Sequence, residues 1–520
     1  MAAAISSSPA PHAHSFAATD HGNRPHSATT ANGSTTPRSQ VNPAAGTHGS
    51  PPVPSAVERL DAMELPHGLV SFCSSISQEL TGPSLARPGA RSCGPAGRAR
   101  GVSVGQIQNP TLNLPNRWYD GFMIERLLQP RLVDLATRYP ILTLTGPRQS
   151  GKTTLSRMAF PGLPYVSLEN PAYRELAEED PVAFFGRYGG GAVLDEVQRV
   201  PQIFSYLQGL VDEDPQPGRF VLTGSQNLAL MDRLSQSLAG RTTLTELLPL
   251  SLEEIRRFPD PPSDLDTLLW QGGYPRIYER ALPAHEWLAD YTATYLERDV
   301  RRLVNVGDML LFQTFLRLCA GRTGQLLNLT SLANDCGVSQ PTARSWLSVL
   351  EASYIVFRLP PFFTNVGKRL IKSPKLYFYD AGLAASLLAI ETPRQLETHP
   401  LRGALFETWV LGEIAKAHLH RGRRPRLFFY RERSRLEIDL VLERGTALTL
   451  VEIKSGKTPS VRYFQPFERL ARALEGRETP RIADRIVVYG GDETQKRGPG
   501  TLLSWRELDR IDWVAAEAGS

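Results

Sequence analysis

The octapeptide Gly146-Pro147-Arg148-Gln149-Ser150-Gly151-Lys152-Thr153 limits what this chain can fold into more than any other stretch. It follows directly on the run Ile141-Leu142-Thr143-Leu144-Thr145, which reads as a short buried strand, and leads into Thr154-Leu155-Ser156-Arg157-Met158, a helical pattern. Glycines at both ends of the turn let successive backbone N–H groups converge on an anion, and the helix start adds its dipole. A lysine there reaches the outer phosphate oxygens, and the neighbouring hydroxyl suits Mg2+. The spacing therefore predicts a phosphate cradle formed by Gly146 to Thr154, with ATP and Mg2+ as its ligands. Lys152 is its cation and Thr153 a metal ligand. A glycine-rich turn matching by accident is the alternative, and the strand before with the helix after argues against it.

Two later segments fit the same fold. Gly191-Ala-Val-Leu-Asp195-Glu196 is an apolar strand ending in two carboxylates, the Walker-B arrangement. Asp195 at the strand tip suits the magnesium shell, and Glu196 is the residue expected to orient or deprotonate an attacking water. A third strand, Phe220-Val-Leu-Thr223, ends in Gly224-Ser225-Gln226-Asn227. Ser225, Gln226 and Asn227 are interchangeable as sensors of the terminal phosphate. Arg241 reads equally as a charge-stabilising arginine, in cis or across a subunit boundary, and as a solvated loop residue. Strands alternating with helical patterns predict an α/β fold with a parallel sheet covered on both faces.

At 520 residues the chain is long enough for two to four domains. Hydrophobic residues at 41% and charged residues at 21% match a globular protein, and no apolar run is long enough to span a membrane. No basic residues precede an apolar N-terminal run, as a secretory signal requires. Cys73, Cys93, Cys319 and Cys336 are spaced as neither a disulfide framework nor a zinc site, so a cytoplasmic location is expected. Residues 1–122 are rich in Ala, Ser, Pro, Gly, Thr and His, contain no lysine and lack apolar periodicity. Too little apolar area could be buried there to offset the entropy of ordering, so a disordered extension is expected, with Met123 as the natural start. From Met123 a helical pattern runs through Leu132, Leu135 and Ala136.

Taken together, Thr-Gly-Pro-Arg-Gln-Ser-Gly-Lys-Thr-Thr, Leu-Asp-Glu-Val-Gln-Arg-Val-Pro, Leu-Thr-Gly-Ser-Gln and Leu-Ala-Gly-Arg resemble a prokaryotic family of AAA-type ATPases. In that family the ATPase core precedes a domain of unknown function. Gly272-Gly-Tyr-Pro275, Tyr295-Leu-Glu-Arg-Asp299 and Lys372-Ser-Pro-Lys-Leu-Tyr-Phe-Tyr-Asp380 resemble it as well. The resemblance spans Met123 to about Gly490 and implies a P-loop NTPase core, ATP hydrolysis and, as for many AAA-type ATPases, a homo-oligomer.

Ser331 to Cys336, Gly337, then Ser339-Gln340-Pro341-Thr342 onward read as helix, turn and helix, with Ser339 as N-cap and Pro341 in the first turn. Extended segments around Ile355–Leu359 and Leu376–Tyr379 complete a winged helix. As a DNA reader it would place Gln340, Thr342, Arg344 and Ser345 in the major groove, and Lys368, Arg369, Lys372 and Lys375 on phosphates. A module that only packs or contacts protein is the equal alternative, and Trp346 close to the reading face suits burial.

The C-terminal part carries a second constellation. Leu401 to His418 is a helical pattern containing Glu407, followed by strands holding Asp439 and then Glu452-Ile-Lys454. Side chains two apart on a strand share a face, so Glu452 and Lys454 project together. The order resembles the PD-(D/E)xK nuclease core, with isoleucine in place of the proline. That resemblance implies Asp439, Glu452 and Glu407 as Mg2+ ligands and Lys454 as the residue positioning a water. An ordinary solvent face is the competing reading.

The expected plan is therefore an extension at 1–122, an AAA-type ATPase core at 123–260, a helical connector at 261–325, a winged helix at 326–392 and a restriction-endonuclease-like α/β domain at 393–520. Two functions follow: an ATPase whose cycle controls a DNA-directed nuclease, or an ATP-gated switch whose nuclease-like fold only binds protein or nucleic acid.

Overall fold

The computed structural model describes residues 123–225, 237–296, 308–362, 373–432, 436–475 and 481–514. The extension 1–122, Gln226, Asn227, Lys368, Arg369 and Lys372 lie outside the described residues.

The first helix is Gln129–Ala136, not a continuous helix from Met123. Pro130 sits in its first turn, the place where a missing N–H costs nothing, and Met123 to Leu128 approach it without helical structure. Five strands follow: β1 (Ile141–Thr145), β2 (Tyr165–Ser167), β3 (Ala192–Asp195), β4 (Phe220–Thr223) and β5 (Thr242–Glu246). They form one sheet in the order β2-β3-β4-β1-β5, and every neighbouring pair is parallel. All of β1, β3 and β4 is buried, as expected of strands with helices on both faces. The loop after β1 and the tip of β3 therefore emerge at the same edge.

The middle region is helical and shares one large apolar cluster with the C-terminal domain, running from Leu250 to Trp513. Helices Leu329–Cys336 and Gln340–Ala352 flank Gly337, whose φ of 75° ends the first helix in the left-handed conformation that glycine adopts freely. Ser339 caps the second by accepting from Thr342 N–H at 3.2 Å. Arg344 is exposed on that helix, whereas Trp346 is buried edge-on to Phe312 and Phe315. An antiparallel hairpin follows, β6 (Val356–Leu359) with β7 (Lys375–Phe378).

The C-terminal domain is a six-stranded mixed sheet. Its strands are β8 (Leu427–Arg431), β9 (Glu437–Arg444), β10 (Ala447–Lys454), β11 (Arg481–Tyr489), β12 (Gln495–Arg497) and β13 (Gly500–Ser504), ordered β12-β13-β11-β10-β9-β8. Val451 and Ile453 of β10 join the apolar cluster that holds Phe406 and Val410 of the helix Arg402–Leu419. Leu448 and Leu450 pack on the other side with Phe467 and Leu470 of the helix Gln465–Leu474. That alternation makes three layers, helix on sheet on helix.

The ATPase and C-terminal parts meet along the segment after β5. Leu252 N–H donates to Glu413 at 2.7 Å and Lys416 donates to Leu250 O at 2.9 Å, both from the helix Arg402–Leu419. Among the described residues, no helix is long and apolar enough to cross a membrane.

Candidate functional sites

The loop after β1 closes back on the sheet. A Cβ on Gly146 would lie 2.1 Å from Leu247 O, so only glycine fits there. Gly151 caps the helix Lys152–Ala159 at a φ of 94°, which turns the helix N-terminus toward the cavity. Lys152 is buried and donates to Gly146 O at 3.0 Å and Pro147 O at 2.7 Å, folded over its own loop. The cavity in front measures about 510 Å³ and is lined by Arg148, Gln149, Lys152, Thr153, Asp195 and Glu196 among others.

Asp195 is the hub of its far wall. Thr153 Oγ1 donates to Asp195 Oδ2 at 2.9 Å and Tyr165 Oη to the same oxygen at 2.6 Å, while Thr223 donates to Oδ1. Thr153 and Asp195 thus converge from helix and strand on one point, and hydroxyl with carboxylate is a donor set that fits Mg2+. Glu196 stands at φ 59° and ψ 43°, an uncommon conformation for a residue with a side chain, and faces the same cavity. Burial raises its pKa, offset in part by Lys152 and Arg148. Gln198 donates to it at 2.6 Å and Ser225, the one described residue of the three expected as sensors, at 3.4 Å.

Arg241 lies elsewhere. It is forked on Asp212, with Nε 2.5 Å from Oδ1 and Nη2 2.8 Å from Oδ2, and does not line the cavity. The wall instead receives Arg276 and Glu279 from the helix Pro275–Glu279, beyond the ATPase core. Sequence reasoning missed both, although Arg276 directly follows Gly272-Gly-Tyr-Pro275. It also missed Tyr165 at the head of β2, and Arg126, whose Nη1 donates to Ser150 O at 2.7 Å beneath the phosphate loop.

The C-terminal constellation is also assembled. The antiparallel register pairs Leu440 with Val451, so Asp439 and Glu452 come next on adjacent strands. Lys454 Nζ lies 2.6 Å from Glu452 Oε1 and 3.4 Å from Asp439 Oδ2, and Ile453 N–H donates to that same oxygen at 2.8 Å. Glu407, from the long helix, accepts from Lys375 at 3.1 Å and from Tyr377. Lys375 was expected on a DNA phosphate. It is instead 3% exposed, with Glu437 Oε1 2.7 Å away on its other side. The β7 strand turns it inward, and the carboxylates offset the cost of burying its charge.

Burial pushes Glu452 up to about 8 and Glu407 up to about 7, with the charge of Asp439 adding to both. Burial opposes the charge of Lys375 too, but Glu407, Asp439 and Glu437 outweigh it and raise its pKa. Among the described residues, no three His, Cys, Asp or Glu side chains are grouped so as to hold a metal ion. Two lysines stand between the carboxylates, so this arrangement does not fit a divalent metal at Asp439, Glu452 and Glu407. Glu452 Oε2 is nonetheless buried without a hydrogen-bond partner.

Residues 138–256 match the model of an AAA domain, residues 262–394 a domain of unknown function (DUF8612), and residues 402–508 a second one (DUF4143). The uncharacterized protein Rv2008c of Mycobacterium tuberculosis is 33% identical over 404 residues, 75% of this chain and 89% of that protein. The uncharacterized protein MJ1544 of Methanocaldococcus jannaschii is 21% identical over 388 residues, 68% of this chain and 83% of that protein. Among solved structures, the Walker-type ATPase PABY2304 of Pyrococcus abyssi is similar at 16% identity, covering 50% of this chain and 94% of that one, with a TM-score of 0.36. AMPPCP-bound DnaA from Aquifex aeolicus is similar at 14% identity, covering 44% and 84%, with a TM-score of 0.24.

Proposed function

We propose, from the premise that this chain belongs to the family of AAA-domain proteins that includes Rv2008c, that it is an ATP hydrolase whose nucleotide cycle controls its C-terminal domain. The observation that carries the hydrolase is the convergence of Thr153 Oγ1 and Asp195 Oδ2, 2.9 Å apart, on a cavity that Glu196 also lines. The backbone N–H groups of the loop from Gly146 to Thr154, Pro147 excepted, hold the phosphates, and Lys152 exchanges its carbonyl partners Gly146 and Pro147 for phosphate oxygens. Thr153 directly, and Asp195 through water, would hold Mg2+, which when bound neutralises charge on the phosphates. Glu196 takes the proton of the attacking water, a role suited to a carboxylate made more basic by burial. Ser225 holds Glu196 in place. Arg276 faces the phosphates in cis, and Arg241 is left for a neighbouring subunit of a homo-oligomer.

The test is phosphate release by the parent, Lys152→Ala and Glu196→Gln. Hydrolysis by Lys152→Ala at the parental rate would end the proposal.

For the C-terminal domain, the meeting of Asp439, Glu452 and Lys454 supports a nuclease-like fold directed at DNA, with Glu407 beside it and Arg344 exposed for contact. Lys368, Arg369 and Lys372 belong to the same reading. The ion pairing of every carboxylate by lysine favours the second reading, a switch that binds protein or nucleic acid without cutting it. DNA cleavage by the parent, abolished in Asp439→Ala, selects the first; unchanged behaviour of the two selects the second. A cytoplasmic site of action is part of the proposal.

A further inference from the structure

Arg148 is the third residue of the phosphate loop, and its side chain is 11% exposed where it lines the nucleotide cavity. Its Nη1 lies 3.9 Å from Oε1 of Glu169, which follows β2. In the sheet order β2-β3-β4-β1-β5, the strands β4 and β3 stand between β1 and β2. Neighbouring strands are parallel, so the loops after β1, β2 and β3 open on one edge. A side chain that starts in the loop after β1 and reaches the loop after β2 therefore crosses above the end of β3. That is where Asp195 and Glu196 stand.

Glu169 is held from the same place. Its Oε1 accepts from Arg199 Nη2 at 2.7 Å, and Arg199 ends the short helical turn Val197–Arg199 that begins next to Glu196. Gln198 of that turn donates to Glu196. One turn thus fixes both the carboxylate that faces the cavity and the acid beside Arg148. Glu169 is 49% exposed, so water screens its charge and the guanidinium keeps its attraction for an anion in the cavity. A guanidinium carries five N–H donors in one plane, enough to keep a carboxylate on one side and grip a phosphate on another. The cations that most offset the burial of Glu196 are Lys152 and then Arg148. Both therefore stand near the point where the row of phosphates must end if Glu196 is to meet the attacking water.

We propose that Arg148 is a catalytic residue of the hydrolase, its guanidinium and not only its backbone N–H binding the terminal phosphate, with Glu169 as the positioning residue that sets the fork above the end of β3. In the reaction the water oxygen bonds to the terminal phosphorus as the bond from that phosphorus to the bridging oxygen breaks. The electron pair stays on the ADP oxygen, and the water proton goes to Glu196. Arg148 offsets the charge on the transferred group during that step, and because the loop itself supplies it, this contact requires no neighbouring subunit. The inference rests on the reading of the cavity as the site of an ATP hydrolase.

The experiment compares the full chain as parent, Arg148→Ala, Arg148→Lys, Glu169→Gln and Arg148→Ala/Glu169→Gln. Phosphate release gives turnover, and displacement of a fluorescent nucleotide by ADP and by a non-hydrolysable ATP analogue gives two affinities. Arg148→Ala should hold ADP within about threefold of the parent, lose the analogue's advantage over ADP, and turn over roughly 10²–10³-fold more slowly. Arg148→Lys keeps the charge without the fork and should stay at least about tenfold slower than the parent. Glu169→Gln should slow the parent and change nothing once Arg148 is alanine. Turnover of Arg148→Ala within about threefold of the parent overturns the proposal. Equal loss of ADP and analogue binding overturns it as well, since Arg148 would then only support the loop. Equal slowing by Glu169→Gln with and without Arg148 removes the positioning role of Glu169. A parent that binds nucleotide but releases no phosphate ends the hydrolase reading instead. The preference for analogue over ADP in Arg148→Ala then decides by itself whether Arg148 meets the terminal phosphate.

Discussion

Arg126 Nε donates to Glu254 Oε1 at 2.9 Å across 128 residues of chain, and both side chains are buried. The remaining guanidinium nitrogens donate to Ser150 O and Leu248 O, so one residue ties the phosphate loop to the segment gripped by the C-terminal domain. His420 completes the pair. Leu248 N–H donates to its Nε2 at 3.2 Å, which leaves the ring proton on Nδ1, 3.4 Å from Glu254 Oε2. Burial works against ionisation of Glu254, but Arg126 and then His420 outweigh it and hold the carboxyl well below its usual range.

Breaking this pair from one side leaves a buried charge alone. Arg126→Met is expected to cost about 3–5 kcal/mol of stability. Urea denaturation followed by tryptophan fluorescence measures it, and a loss under about 1 kcal/mol would show that the pair is not the fastening described. Nucleotide affinity should fall in the same variant, since Ser150 O loses its donor.

Glu196→Gln keeps the shape of the side chain and its contact with Gln198 but removes the base. ATP binding should stay within a few-fold of the parent while turnover falls by roughly 10²–10⁴-fold. Equilibrium binding of a fluorescent nucleotide beside steady-state phosphate release separates the two. Equal loss in both would reassign Glu196 to binding.

Tyr165 competes for the oxygen that would face the metal, since its hydroxyl and that of Thr153 both donate to Asp195 Oδ2. Tyr165→Phe removes one competitor for a charged acceptor, an interaction worth about 1.5–3 kcal/mol. The Mg2+ concentration for half-maximal ATPase should drop by at least several-fold. An increase would mean that Tyr165 orients Asp195 instead of occupying it.

The carboxylate site predicts a pH effect with a definite sign. Glu452 at about 8 and Glu407 at about 7 hold protons in the folded chain that an unfolded carboxyl releases near 4.5. The stability this supplies is complete below about 4.5 and is lost as pH rises through 7 and 8. Thermal midpoints should therefore decline across that window by the equivalent of a few kcal/mol. Glu452→Gln should flatten the decline and melt higher than the parent above pH 8. Parallel curves for the two proteins would place the titration elsewhere.

Much of the ATPase half is legible in the sequence. Gly146 to Thr153 are contiguous, and the conformation of such a loop is set by which of its residues tolerate unusual backbone angles. The buried strands β1, β3 and β4 read directly as apolar runs bounded by polar ones. The two helices around Gly337 and the hairpin after them were legible for the same reason, as were the spacing of Glu452 and Lys454 and the helix that carries Glu407. The start of the first helix was misjudged because apolar spacing outweighed Pro130, which marks a first turn.

What the sequence by itself determined is each local conformation and the chemical kind of each short motif, because these follow from backbone sterics and from spacings of a few residues. Only the tertiary structure decided which distant side chains share a space. Arg276 reached the nucleotide cavity, Arg241 turned to Asp212, and Lys375 went from an expected surface contact to the centre of the carboxylates. Those outcomes depend on how helices and sheets pack across 29 residues for Arg241 and Asp212, 32 for Lys375 and Glu407, and more for Arg276, where burial energy chooses the partners and no local pattern records the choice.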